Sequence, residues 1–312
     1  MLEWAVNSLG GYLTTPELSQ QMRVKAQTKQ RFRNLATVEE AFGMNRGDVL
    51  QYTKAGNAAD GRVVAETETV PTSNITFYKS TATCMEYTLG IDYTWRLETL
   101  AKLDIYNTIV IALTNSMSRT LDRAAGAVFQ DMDLVYTPTG SETAKTYALG
   151  SAGVALATQD RPFSMWDHRN IIDLMSGTYN MPYYDDSGNV AVGSTSFLRS
   201  FHEDGTWERI IAPQNAGRAF RGEVGEFYNC RFIGETNVLD DSIGTNGVGG
   251  EAVYIAADAV MEIVVLPEEI QAKLGSDYGR DRGLRWVFYG TWAKTWDYPT
   301  EGEARGIRVF SL

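Results

Sequence analysis

A long polar stretch of strand character over residues 48–89 runs into a helical pattern over 94–130, and this junction near Tyr93 constrains the fold most. A compact enzyme rarely needs both in that order. A protein that reaches a neighbour with an extended arm and braces itself on a rod does. The order points to assembly rather than chemistry.

In the first stretch, Val49, Tyr52, Val63, Val64, Thr67, Thr69 and Val70 favour strand, and AGNAADG at 55–61 reads as a turn. Ile75, Phe77, Lys79, Thr81, Thr83, Met85 and Tyr87 would share one strand face. Thr76, Tyr78, Ser80, Ala82, Cys84 and Glu86 would share the other. Neither face is strongly apolar, so the hairpin is expected to find no seat on its own body and to be ordered by another chain. Pro71 suits an edge position.

In the second stretch, Leu97, Ala101, Ile105, Ile109, Leu113, Met117, Leu121, Ala124 and Val128 recur at spacings of three or four. No Pro or Gly interrupts before Gly126. The pattern predicts one helix over 94–130, on the order of 50 Å long, with Asp92 at its start and an i,i+4 pair of Glu98 with Lys102. The stripe of Leu97, Ile105, Ile109, Leu113 and Leu121 is predicted to pack on the body. Asn107, Thr108, Thr114 and Asn115 break any strict heptad, which argues against a coiled coil.

Thr15 followed by Pro16 is a helix start, and a helix is expected over 16–35 within an N-terminal arm. The arm carries Arg23, Lys25, Lys29, Arg31 and Arg33 against Glu3 and Glu17. Two readings stand: a solvated helix face, or a basic arm that docks on an acidic neighbour. The whole chain has a formal net charge of -11, so nucleic-acid phosphate repels it overall.

After 131–160, which is rich in Thr, Gly, Ser and Ala, helices are expected over 164–176 and 196–211. Strands are expected over 189–195, 222–236, 252–256, 261–266, 284–292 and 305–311, with a Gly-rich loop over 244–250. No regular βαβ repeat emerges, so the fold class is α+β.

Chemical motifs are weak. Gly247, Gly249 and Ala252 match a GxGxxA spacing, but turn residues precede it and strand residues follow it, so no dinucleotide site is expected. His168 and His202, the only histidines, read as polar surface residues. The acid pairs Glu39-Glu40, Asp185-Asp186, Asp240-Asp241 and Glu268-Glu269 are adjacent, which on either a strand or a helix points the two carboxylates apart. Asp185-Asp186-Ser187-Gly188 reads as a turn, and Pro267-Glu268-Glu269 as a helix N-terminus. Cys84 and Cys230 sit in no metal-ligand spacing, and reduced thiols in a cytoplasmic setting are the default. No secretory h-region and no membrane-length apolar run is present. No catalytic, cofactor-binding or metal-binding residue is expected, and a hydrolase using a carboxylate pair is the competing reading.

Several strings, taken in order, resemble the major capsid proteins of tailed bacteriophages, whose fold is shared with herpesvirus capsid floors and encapsulin shells. They are Gly47-Asp48-Val49-Leu50, Tyr93-Thr94-Trp95-Arg96-Leu97-Glu98, and Leu121-Asp122-Arg123-Ala124-Ala125. Further along come Gly222-Glu223-Val224-Gly225-Glu226-Phe227 and Arg231-Phe232-Ile233-Gly234-Glu235-Thr236-Asn237. Trp286-Val287-Phe288-Tyr289-Gly290 and Arg305-Gly306-Ile307-Arg308-Val309 close the series. The resemblance implies an N-terminal arm (1–46), an extended β loop (47–90), a peripheral domain with a spine helix (91–162), an axial domain (163–250) and returning strands (251–312).

It also implies a structural protein of the virion, made in the bacterial host cytoplasm, that assembles as hexamers and pentamers into an icosahedral shell around double-stranded DNA. Portal, scaffolding and decoration proteins are the implied further partners. DNA would meet the inner face without sequence-specific binding, and no membrane is involved. The expected inter-subunit contacts are Arg23, Lys25, Lys29, Arg31 and Arg33 of the arm, and Tyr52, Val63, Val64, Ile75, Phe77 and Tyr78 of the loop. An encapsulin-type compartment is a further alternative.

Overall fold

The computed structural model describes residues 30–39, 47–56, 58–101, 104–141, 143–151, 161–186, 188–203, 225–241, 243, 249–274, 277–296 and 303–311. Arg23, Lys25 and Lys29, residues 16–29 of the helix expected over 16–35, most of the Gly-rich loop and the His202 side chain lie outside them, and residues 30–35 are not α-helical.

A single 3-10 turn at Arg33–Leu35 leads into β1 (Thr37–Glu39). β2 (Val49–Ala55) and β3 (Phe77–Thr83) pair as an antiparallel ribbon, and β4 (Met85–Thr94) follows after one residue. Next come α1 (Trp95–Leu100), α2 (Ile105–Gln130), β5 (Leu134–Gly140) and β6 (Lys145–Ser151). α3 (Met165–Asp173), which runs on into a π turn at Leu174–Thr178, then leads to β7 (Asn189–Gly193) and α4 (Thr195–Glu203). The chain closes with β8 (Glu226–Phe227), β9 (Cys230–Gly234), β10 (Gly250–Ile255), β11 (Val260–Ala272), β12 (Asp281–Lys294) and β13 (Gly306–Ser311).

Besides the β2–β3 ribbon, the described residues form two sheets. One has the order β1-β11-β12-β4, and the other β6-β5-β13-β10-β7-β9-β8. In the second, β7 and β10 are buried along their whole length. Alternate residues serve two cores. Val190, Val192, Val253 and Ile255 join α2, whereas Ala191, Ala252 and Tyr254 join the layer beneath α3 and α4. A strand covered on both faces must be apolar throughout, which is why these runs stand out in the sequence. β5 and β6, expected with the peripheral domain, belong to this sheet.

The rod is two helices, not one. The Thr94 hydroxyl accepts the Leu97 N–H at 3.3 Å and caps α1. Ala101 then turns extended with ψ 136°, and Asp104 accepts the Asn107 N–H at 3.0 Å to start α2 afresh. An aspartate serves a helix better as N-cap than in its interior, so Asp104 favours a new start. Asp92 caps neither helix and pairs instead with Lys273, and Glu98 pairs with Arg282 on β12. Leu97, Ile105, Ile109, Leu113 and Leu121 are all buried, in one cluster with Trp286 and Phe288 of β12.

Pro267-Glu268-Glu269 does not start a helix. It lies inside β11, where the register against β12 shifts on both sides of Leu266. Pro267 has no ladder partner there, and a bulge accommodates its missing N–H.

Candidate functional site

Among the described residues, the stretch at 30–36 and the stem of the β2–β3 hairpin are each fixed to the body by side-chain contacts. The first is clamped. Phe32 is fully buried, its ring 5.4 Å from that of Phe129. It lies over Gly126, where a Cβ would stand 2.7 Å from Val238 and 3.0 Å from the Phe32 ring. That close approach explains a glycine inside α2. Asp122, fully buried, accepts the backbone N–H groups of Arg31 (3.0 Å) and Arg33 (3.1 Å) and the Asn237 amide (3.3 Å).

Arg33 donates from Nε to Glu262 at 3.0 Å and, two-pronged, to Glu268 at 3.0 Å on each arm. Its guanidinium holds the Glu268 carboxyl below the usual carboxylate range. Two-pronged arginine–carboxylate contacts are among the strongest charge-assisted bonds, and Glu262 is itself buried. Arg33 was expected to face a neighbour; its charge is spent within its own subunit. Removing the shared acceptor with Asp122→Ala leaves donors without a partner, at about 1–3 kcal/mol each when buried. Urea unfolding is expected to show a loss of at least about 2 kcal/mol, and an unchanged midpoint would refute the clamp.

The hairpin stem also has a seat. Leu50, Tyr52, Ala82 and Cys84 pack on Met261, Ile263, Val265, Tyr289 and Ala293 of β11 and β12. The Tyr52 hydroxyl donates to the Lys294 carbonyl at 2.7 Å, and the Asp48 carbonyl accepts the Cys84 N–H at 2.7 Å. Lys54 is buried on the same face, and burial lowers its ammonium pKa. The expectation that the hairpin cannot bury itself on its own body is therefore wrong for the stem. The face carrying Tyr78, Ser80, Ala82 and Cys84 turns inward, because small residues let the ribbon lie close to the sheet.

Beyond the stem, residues 58–76 form no strand and include a turn in which the Glu68 N–H donates to the Ala65 carbonyl at 2.9 Å. Val63 is 98 % exposed, Ile75 48 % and Phe77, at the stem's end, 67 %, whereas Val64 is half-buried. Of the loop contacts expected from the sequence, Tyr52 and Tyr78 lie on the inward face and Val63, Ile75 and Phe77 are presented outward.

Buried polar groups elsewhere hold the fold together. Asp167 accepts from Arg161, from the Tyr136 hydroxyl at 2.8 Å and from Ser164. Glu235 accepts the backbone N–H groups of Asn237, Val238 and Leu239, and Glu251 accepts from Arg308 at 2.7 Å and Gln130 at 3.1 Å. The sequence reading missed these roles. Its available signal was a lone acid inside an apolar strand run, as in Gly250-Glu251-Ala252-Val253, since a buried charge demands a partner.

His168 is no surface residue. It is fully buried, with Nδ1 3.1 Å from the Tyr254 hydroxyl and Nε2 3.2 Å from the Phe227 carbonyl. Among the described residues no cluster of His, Cys, Asp and Glu could hold a metal, and no helix is long and apolar enough to cross a membrane.

The family model described as the phage capsid family matches residues 10–201. No curated protein matches this chain. Among solved structures, one from Mycobacterium phage Che8 is 14 % identical with a TM-score of 0.65, covering 95 % of this chain and 96 % of its own. The acidic stable capsid of Helicobacter pylori bacteriophage KHP30 is 11 % identical with a TM-score of 0.69, covering 95 % of each chain. The capsid asymmetric unit of cyanophage Pam1 is 12 % identical with a TM-score of 0.69, covering 95 % of this chain and 96 % of its own. At such identities the likeness carries the fold, and the family match, which spans more than half of the sequence, carries membership. The chain belongs to the phage capsid family and is a structural major capsid protein of the virion, not an enzyme.

Proposed function

We propose that this subunit builds an icosahedral shell of hexamers and pentamers around double-stranded DNA, and that residues 58–77 are its reach onto the neighbouring copy. One observation carries the reading: the stem is seated on its own sheet, while Phe77 at its end and Val63 and Ile75 beyond it are exposed. Exposed apolar residues on a positioned arm gain about 25 cal/mol per Å2 when a neighbour buries them, and each copy offers the same arm, so the contact repeats around a ring. α2 with the four-stranded sheet forms the peripheral domain in this reading, and the seven-stranded sheet with α3 and α4 the axial domain.

Arg23, Lys25 and Lys29 remain the candidates for a basic contact with an acidic neighbour, with Arg31 contributing. Arg33 is given up for that role. The net charge of -11 keeps packaged DNA from adhering to the inner wall. Portal, scaffolding and decoration proteins complete the assembly, which begins in the host cytoplasm.

Negative-stain microscopy of the purified full-length chain, with a sedimentation profile, tests this reading. Closed particles or capsomer rings are expected. A discrete small oligomer at all concentrations and salts would contradict it. Particles from infected cells that hold protein cargo instead of DNA would favour an encapsulin-type compartment.

A further inference from the structure

We propose that the far end of the four-stranded sheet is the seat for a neighbour's loop: a cleft floored by Gly90 and Gly283, in which Arg285 receives Glu66 of a second copy of this chain. The inference rests on the reading of residues 58–77 as the reach onto a neighbour, and it names where that reach lands.

The cleft lies on the same face of the sheet as the hairpin stem. β4 and β12 pair from Met85–Gly290 to Thr94–Asp281 without a shift of register, so alternate residues of β12 share one face. Tyr289 and Ala293 lie under the stem. Arg285 and Gly283 therefore stand on the stem's side too, with Gly90 and Asp92 opposite them on β4 and Gln271 opposite Arg285 on β11. Lys273 joins them, its N–H donating to the Gly283 carbonyl at 2.8 Å. Ala272 and Leu274 add apolar surface to a cleft of about 500 Å3. Its floor is low because two of its residues are glycine, and a Cβ at Gly283 would collide with the Asp92 carboxylate.

The two cations of the cleft are held differently. Lys273 is shared between Asp92 (3.1 Å) and Asp281 (2.7 Å), so its charge is met. Arg285 donates from Nε (3.1 Å) and Nη2 (2.8 Å) to the neutral amide oxygen of Gln271, whose own amide donates to Glu269. Among the described residues Arg285 forms no ion pair. The amide fixes the guanidinium without neutralising it, and its remaining N–H groups form a fork suited to a carboxylate.

The loop carries the complement. Val63 is 98 % and Val70 72 % exposed, and Glu66 and Glu68 are exposed between them. Glu68 already pairs with Arg62 at 2.6 Å, so Glu66 is the carboxylate left to offer. A valine on the glycine floor beside a carboxylate on Arg285 matches both halves of the cleft.

A copy's own loop leaves from the other end. From Met85 beside Gly290, the stem reaches the Lys294 carbonyl through the Tyr52 hydroxyl and runs on to Ala55 and Phe77. Lys294 stands roughly 30 Å along β12 from Arg285. Loop and cleft at opposite ends of one face make a head-to-tail pair, which repeats from copy to copy around a ring.

The yield of particles from the full-length chain, read by sedimentation, tests the seat. Arg285→Glu and Glu66→Arg are each expected to lower it at least about tenfold, because each sets like charges face to face. The double variant, with the pair reversed, is expected to restore it. Gly90→Leu fills the floor and should block assembly as well; its Cβ has ordinary room, 3.5 Å from that of Arg285. Circular dichroism melts of all four should match the wild type, since Glu66 lies on the loop and Arg285 is exposed. Normal assembly of the single variants, or no recovery in the double one, would overturn the seat and leave the reach standing wherever the shortened loop still abolishes shells. Shells from the shortened chain would remove the reach, and the seat with it.

Discussion

Ile109→Asp is expected to leave no soluble, folded subunit. Ile109 lies in the second turn of α2 on its buried stripe, in one core with Leu113, Trp286 and Phe288. Truncating that contact forfeits about 2–3 kcal/mol of apolar burial. The new carboxylate adds several kcal/mol of desolvation. Together these reach the margin of about 5–15 kcal/mol by which a folded domain survives. Ile111→Asp is the matched control, because Ile111 stands two residues on and is 46 % exposed. That variant should give soluble protein with an unchanged circular dichroism spectrum. Normal yield and a wild-type melt from Ile109→Asp would show that α2 does not carry the core.

Replacing residues 58–75 with a short turn is expected to abolish shells and leave the subunit folded. The ribbon from Val49–Ala55 to Phe77–Thr83 stays paired, and its inward face stays on β11 and β12. Residues 58–75 add little to the core, so the melting temperature should change by only a few degrees, about 1 kcal/mol in a chain this size. Assembly should fail altogether, since every copy loses the same contact. The single changes Val63→Asp and Phe77→Asp should weaken assembly in the same direction. Intact particles from the shortened chain would remove the loop from the account.

The sequence was most legible where physics allows one answer. β7, β10, β12 and β13 read as strands because their apolar runs are buried, and the α2 stripe kept its spacing across the helix break. Three features were hidden for identifiable reasons. The break at Ala101 carries no proline or glycine, and only the capping preference of Asp104 marks it. Pro267 resembled a helix start because a β-bulge that accepts proline leaves no local pattern. The stem's inward face is built from Tyr52, Ala82 and Cys84, whose small or amphipathic side chains look polar in a period-2 reading.

The arm root shows the same limit in charge. Arg33 belongs to a basic run, yet its partners Glu262 and Glu268 lie more than two hundred residues away. His168 looked ordinary because its cage comes from β8, β9 and β10, which only the fold brings together. Local sequence shows which groups need a partner but not where the partner is.

Hydrogen exchange on free subunit and assembled particle, compared peptide by peptide, tests the central claim most directly. The stem strands 49–55 and 77–83, together with β4, should be protected in both states, since their seat is intramolecular. Residues 58–76 should exchange freely in the subunit and become protected in the particle, where a neighbouring copy covers them. Equal exchange of 58–76 in both states would contradict the account, because the loop would then do nothing in assembly.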